Sequence, residues 1–308
     1  MALHFRQPSH AGSIVTLAHK PYTLAVVPHF GGRIVSFRYE NRDLLRRTTS
    51  EVLTTPRVYE YAGFPLMPYS GPLFGPGFSF ADEDHVLQRT VREEPTATHG
   101  DAWIPPFDIV QQDAASVELA YDHVPVEGAF PFRFRGTLRY ALSEAGVSIF
   151  LQVTSCDHRI MPAGIGFHPY FPRPPGTRLA FSATGVWPAD APEAAGIGCQ
   201  SLTDGLSFAD GPDVSEMVVD RLYEGWNGTA VVTAPDGFRT VVEADGALTK
   251  LQIYSPWGYP YVCVEPVSNA NDGFNRMARG VANHGVRCLE PDASIAGTIR
   301  IFAGGVSQ

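Results

Sequence analysis

The sequence predicts an all-β fold, a sandwich or barrel of antiparallel strands with few short helices. Apolar and polar residues alternate with period two in stretch after stretch, and turn signals separate those stretches at close spacing. No amphipathic run at helical spacing extends beyond two or three turns.

Strands are expected at 13–18, 22–28 and 33–39, the last two linked through Gly31-Gly32. The clearest signal is FPFRFRGTLRYALSEAGVSIFLQVTS, 130–155. There Phe132, Phe134, Leu138, Tyr140 and Leu142 share one face, and Arg133, Arg135, Thr137 and Arg139 the other. Past Glu144-Ala145-Gly146, residues Val147, Ile149, Leu151 and Val153 again share a face, as in a hairpin with one side buried. TAVVTAPDGFRTVVEA, 229–244, carries a second hairpin turn at Asp236-Gly237. Further strands fit 248–254, 261–265 and 297–303, and a short helix fits 272–279. Glycine (30) and proline (26) punctuate the chain without any repeat or low-complexity tract. No shift of composition divides the 308 residues, so 1–308 is expected to form a single β-sandwich domain.

Composition also narrows the partners. The formal charge of −9 and the lack of a basic stripe argue against nucleic acid. Arg42, Arg46 and Arg47 form one short basic cluster, and Arg133, Arg135 and Arg139 another; both read as solvated strand or turn positions. No apolar run is long enough to span a membrane, and the N-terminus lacks a secretory apolar core, which makes the cytoplasm the expected location. Cys156, Cys199, Cys263 and Cys288 are scattered, as buried thiols are, rather than paired in a disulfide framework.

The ten histidines show no metal-ligand spacing, and no phosphate-binding glycine loop is present, so neither a metal nor a cofactor is expected. ADEDH, 81–85, reads as a polar loop, and PYSGP, 68–72, lacks the glycines of a nucleophile elbow. Acid–base chemistry remains. In an extended YVCVE segment Tyr261, Cys263 and Glu265 point one way and Val262 and Val264 the other, with Glu265 ending the strand before Pro266. Glu265 is then either a general base raised toward neutrality by desolvation or a salt-bridged strand end. Glu290 also precedes a proline. His168, in GIGFHPYFPRP, is either a satisfied core histidine or an acid. His99, in THGDAW, sits at a turn. Asp220 and Trp226, in VDRLYEGWNG, join a carboxylate to an aromatic platform in a turn-rich loop, a pairing that suits a sugar.

Taken in order, GGRIVSFRYENRDLLR (31–46), FPLMPYSG (64–71), HGDAW (99–103), GFHPYF (166–171), VDRLYEGWNG (219–228) and VCVEPVSNANDGFN (262–275) resemble the aldose 1-epimerase (galactose mutarotase) family over nearly the whole chain. The resemblance implies an antiparallel β supersandwich and a cofactor-independent isomerase acting on a sugar, working as a monomer or homodimer. It implies that Glu265 is the general base and His168 the general acid, with His99 hydrogen-bonding near the ring oxygen and Asp220 binding sugar hydroxyls; Trp226 and Tyr170 are the aromatic candidates for substrate binding beside them. The chain departs from the family at Gly71-Pro72-Leu73, where relatives commonly carry an arginine that contacts the sugar. Arg57 or Arg173 could replace it, or the sugar preference differs. Asn269, where relatives often carry histidine, also points to altered specificity. A catalytically silent carbohydrate-binding protein on the same fold is the competing expectation. A glycosidase is disfavoured, because only one acid lies in a compelling motif.

Overall fold

The alternating stretches become strands in the computed structural model, which describes Ser9 and residues 11–305 apart from Glu93 and Ala195. Among the described residues an 11-stranded sheet runs, in spatial order, through Val15–His19, Tyr22–Val27, Arg33–Tyr39, Gly63–Leu66, Gly166–Pro172, Tyr261–Val267, Lys250–Ser255, Val219–Glu224, Gly185–Val186 and Gln200–Ser201, with Arg42–Asp43 beside Arg33–Tyr39. An 8-stranded sheet runs through Asp108–Gln112, Ser116–His123, Phe134–Ser143, Gly146–Ser155, Ser294–Gly304, Arg239–Gly246, Thr229–Thr233 and Arg178–Phe181. Neighbouring strands pair antiparallel. Two short α-helices, Ser50–Thr54 and Gly273–Ala278, complete the α content, and neither is long or apolar enough to cross a membrane.

Alternation decides which side of each strand is dry. Phe134, Leu138, Tyr140, Ile149, Leu151 and Ile299 from the smaller sheet meet Phe167, Phe171, Val262 and Val264 from the larger one in one apolar core. Full burial of each such side chain stabilises by about 1.5–3 kcal/mol before conformational entropy is counted. The opposite face of the larger sheet carries Phe64, Tyr170, Tyr261 and Cys263, which pack in a second cluster with Trp103, Phe30 and Tyr61. That outer face holds the polar residues singled out above.

Several expectations need correction. The strand carrying Glu265 continues through Pro266 to Val267, because Val267 pairs with both Lys250 and Gly166, so the glutamate lies inside the ladder. Asp220 lies on the strand Val219–Glu224, whose pairing with Lys250–Ser255 overrides its turn-like composition. ADEDH is the tip and return strand of a small hairpin, with Ala81 and Asp82 left-handed and Glu83–Val86 paired to Gly77–Phe80. All four cysteines are free, but only Cys263 is buried; Cys156 and Cys288 are exposed.

The paired glycines at 31 and 32 have separate reasons. At Gly32 (φ +62°) a Cβ would lie 2.7 Å from the Leu138 side chain, where the two sheets meet and Tyr140 Oη donates to Gly32 O at 2.7 Å. At Gly31 (φ +63°) a Cβ would lie 2.1 Å from Trp103 O, on the loop that carries His99. Gly31→Ala is therefore expected to cost about 2 kcal/mol or more, from left-handed strain plus overpacking. Chemical denaturation measures it, and an unchanged midpoint would contradict this account of the turn.

Candidate active site

A cleft of about 920 Å³ opens on the outer face of the larger sheet, within the range of small-molecule sites. Its floor is laid across adjacent strands. His168 is opposite Phe64, Tyr170 is opposite Cys263, Glu265 is opposite Gln252, and Tyr254 is opposite both Cys263 and Asp220. Period two then aims His168, Tyr170, Cys263, Glu265, Gln252 and Asp220 at one side.

His168 Nε2 lies 3.3 Å from Glu265 Oε1, and both side chains are more than nine-tenths buried. The imidazole is held between two rings, Phe64 at 4.8 Å and Tyr170 at 4.6 Å, both stacked. Among the described residues its Nδ1 has no partner. Burial pushes Glu265 well above the usual carboxylate range, and nearby Asp220 adds to the rise. Burial likewise pushes His168 well below the ordinary imidazole value, helped by His99 and Arg46.

His99 reaches the cleft from a turn in which it and Gly100 are both left-handed, at φ +64° and +70°. Such a conformation costs a non-glycine residue about 1 kcal/mol or more and persists only where surroundings enforce it. Here Asp101 and Ala102 N–H groups donate to Met67 O at 3.1 Å, and Trp103 Nε1 donates to Gly100 O at 3.1 Å. Asp101 is buried and accepts from the Phe130 N–H at 2.7 Å, anchoring the turn. The Gly71 N–H donates to His99 Nδ1 at 3.1 Å, which puts the proton of the neutral ring on Nε2. Burial and then Arg33 lower His99 to about 3, so the ring is neutral near pH 7.

The far side of the cleft is rich in acceptors. Gln252 Nε2 donates to Asp220 Oδ1 at 2.7 Å, and among the described residues the buried Gln252 Oε1 has no partner. Asn271 Nδ2 donates to Asp190 Oδ2 at 2.6 Å, and Glu94 and Glu60 line the wall. The cation here is Arg46, whose guanidinium lies over the rings of Tyr170 (3.9 Å) and Tyr261 (4.7 Å) and donates to the carbonyls of Tyr59 and Tyr61.

Of the sequence-predicted residues, His168, Glu265, His99, Asp220 and Tyr170 converge on this cleft. Trp226 does not: it packs in the inter-sheet core and donates to Thr229 O, because its glycine-flanked turn folds it inward. Neither proposed arginine lines the cleft. Arg57 is an exposed partner of Glu51 and Glu60, and Arg173 is buried among the carbonyls of Val214, Met217, Pro256 and Tyr259. Arg46 is half-buried rather than freely solvated: its guanidinium stacks on the Tyr170 and Tyr261 rings at the edge of the cleft. Asn269 clasps Ser70, accepting from its N–H at 3.0 Å and donating to its carbonyl at 3.0 Å, and does not line the cleft. Glu290 is exposed and away from the cleft. Sequence reasoning missed Arg46, Gln252, Asp190 and Asn271. Arg46 and Asn271 lay within quoted motifs (31–46 and 262–275) in which nothing marked them as cleft residues, and Asp190 comes from a proline-rich loop without any signal. It also missed that His168, Cys263 and Glu265 hold one donor atom each within 4.8 Å of one another, since two strands supply them.

With this geometry in hand, relatives define the class. The chain belongs to the aldose 1-epimerase family, whose model matches residues 13–301. It is similar to the uncharacterized protein YphB of Escherichia coli (strain K12), 27% identical over 276 residues that cover 87% of this chain and 92% of that one. A crystal structure of a protein from Escherichia coli K12 superimposes with a TM-score of 0.83 at 25% identity, covering 95% of this chain and 99% of that one. A galactose mutarotase-like protein from Clostridium acetobutylicum shares the fold with a TM-score of 0.77 at 21% identity, covering 95% of each chain.

Burial and then Asp220 raise Asp190 to about 7. Between its ordinary 3.8 and about 7 the folded chain keeps a proton that the unfolded chain has lost, so rising pH lowers stability across that window. Above about 7 both states are ionised and the effect levels off. Asp190→Asn is expected to gain stability relative to the parent as pH rises through this window, with parallel melting temperatures above it. Parallel curves at every pH would contradict the assignment.

Proposed function

We propose that this protein interconverts the α and β anomers of an aldose by opening and reclosing its ring, with Glu265 as general base and His168 as general acid. The observation that carries the reading is the 3.3 Å approach of His168 Nε2 to Glu265 Oε1 on the cleft floor. The pair has no net charge whether its proton sits on carboxylate or imidazole. An aldose that donates its C1 hydroxyl to Glu265 and accepts at ring oxygen O5 from His168 selects the carboxylate–imidazolium arrangement. Glu265 then takes the hydroxyl proton as the C1–O carbonyl forms, the C1–O5 bond breaks, and His168 delivers its proton to O5. Rotation about C1–C2 exposes the other carbonyl face, and reclosure returns both protons with the roles exchanged. Each such group contributes about 10²–10⁴-fold.

The remaining groups suit a sugar with free hydroxyls. His99 Nε2–H and Arg46 supply donors, while Asp190, Asp220 and Gln252 Oε1 accept from hydroxyls away from C1. Carboxylates outnumber the single guanidinium along the wall, which disfavours a phosphorylated or sulfonated sugar. Arg46 takes over the charged donor role that Pro72 cannot fill.

Glu265→Gln and His168→Asn are each expected to slow anomer exchange by about 10²–10⁴-fold with the fold retained, as read by polarimetry and circular dichroism. Parental rates in either variant would sink the assignment. A silent binding protein would instead bind aldose in parent and variants alike and accelerate exchange in none. Arg46→Met is expected to raise KM about tenfold or more, the loss of one charge-assisted hydrogen bond, with kcat less affected. A fall in kcat at constant KM would put Arg46 in the chemistry rather than in binding.

A further inference from the structure

The proposed acid–base pair uses two of three donor-bearing side chains that meet under the cleft; the third, Cys263, has no part in ring opening. Cys263 is fully buried, two residues before Glu265 on the same face of its strand, and opposite Tyr170. One donor atom from each of His168, Cys263 and Glu265 lies within 4.8 Å of the others. We propose that these three side chains form a binding site for a thiophilic divalent cation of the Zn²⁺ class, and that the cation and the aldose exclude one another.

Coordination geometry supports this. Two nitrogen or oxygen ligands at ~2.0–2.2 Å from a tetrahedral zinc stand roughly 3.3–3.5 Å apart, and His168 Nε2 and Glu265 Oε1 are already at 3.3 Å. A thiolate at ~2.3 Å completes a three-ligand face, for which the Cys263 side chain closes by about 1 Å. His168 and Glu265 line the cleft, which gives an ion a route to the site, while Cys263 lies behind them, outside the cleft lining.

The charge balance is favourable too. When a dication enters, Cys263 gives up its thiol proton and the His168–Glu265 pair gives up the one it shares. Two positive charges enter and two leave, so the buried site has no net charge before or after, and no uncompensated ion is buried.

The same surroundings make the site exchangeable rather than permanent. A zinc-bound histidine ordinarily donates its second nitrogen to a carboxylate or carbonyl, which strengthens binding 10–100-fold. Among the described residues no carboxylate backs His168 Nδ1, which has at most a poorly aligned approach to its own backbone carbonyl, and the rings of Phe64 and Tyr170 hold the imidazole in place. A three-ligand site without that support binds its ion reversibly and acts as a brake. The mutual exclusion rests on the catalytic reading of the pair; the binding site itself does not.

The test uses Cd²⁺ as the probe in a full-length Cys156→Ser, Cys199→Ser, Cys288→Ser background, where Cys263 is the remaining thiol. Titration is expected to raise the ultraviolet cadmium–thiolate charge-transfer band to one equivalent, and Zn²⁺ to displace it. Further substitution of Cys263→Ser is expected to abolish the band and raise the Zn²⁺ concentration for half-inhibition of anomer exchange at least tenfold, leaving the metal-free rate unchanged. His168→Asn, which keeps the thiol, is expected to weaken the band's Cd²⁺ dependence at least tenfold. No band in the parent background, or a band indifferent to His168→Asn, would overturn the site. Zn²⁺ inhibition unaltered by Cys263→Ser, or a band that saturating aldose does not weaken, would overturn the brake. Because the band needs no turnover, failure of the metal site and failure of the isomerase reading remain separable.

Discussion

A fully buried guanidinium organises the floor of the cleft. Arg33 donates to the carbonyls of Val58 at 2.9 Å and Trp103 at 2.8 Å, and no carboxylate among the described residues pairs with it. Aromatic faces take the place of a counter-ion: Phe30 at 4.1 Å, Phe64 at 4.8 Å, Trp103 at 5.2 Å and Tyr61 at 5.3 Å. Burial lowers its pKa only to about 10, so it remains charged near neutrality. Phe64 and Trp103 in turn stack on each other at 5.0 Å, and Phe64 stacks on His168. The same cation adds to the depression of both His99 and His168. One buried charge thus fixes ring positions and biases protonation at two histidines.

From that anchor the cleft divides into two chemistries. Near His168 and Glu265 the walls are aromatic, and burial raises the proton affinity of the carboxylate while lowering that of the imidazole. Reversibility matters to the proposed reaction, because anomer exchange runs both ways. Toward Asp190 and Asp220 the lining is carboxylate and amide, which orients hydroxyl donors without reacting. A sugar missing one of those hydroxyls leaves a desolvated acceptor unpaired, at about 1–3 kcal/mol. Under the proposed function, discrimination among aldoses would reside in the strands Lys250–Ser255 and Val219–Glu224 and in the loop carrying Asp190.

Alternation made much of this legible. The faces assigned to 130–155 and to Tyr261, Cys263 and Glu265 are those observed, because a buried sheet punishes any slip of register by turning every side chain over. The family motifs located the His168–Glu265 pair, which spacing alone left ambiguous. Arg46 and Trp226 were misread for opposite reasons. A charged residue beside two other arginines resembles a solvated turn until Tyr170 and Tyr261, far along the chain, supply the rings on which its guanidinium stacks. A tryptophan near an aspartate resembles a sugar platform until the Gly225 and Gly228 turn folds it into the core. Asp190 and Asn271 meet across 81 positions of chain, and no local pattern records such a contact.

The measurement that tests the central claim most directly is two-dimensional exchange NMR of the parent protein with unsubstituted hexoses and pentoses at neutral pH. The account predicts α–β cross-peaks, well above the protein-free rate, for at least one neutral aldose, and weaker or absent enhancement for its 6-phosphate. A folded sample that accelerates no neutral aldose, or one that accelerates only anionic sugars, would contradict it.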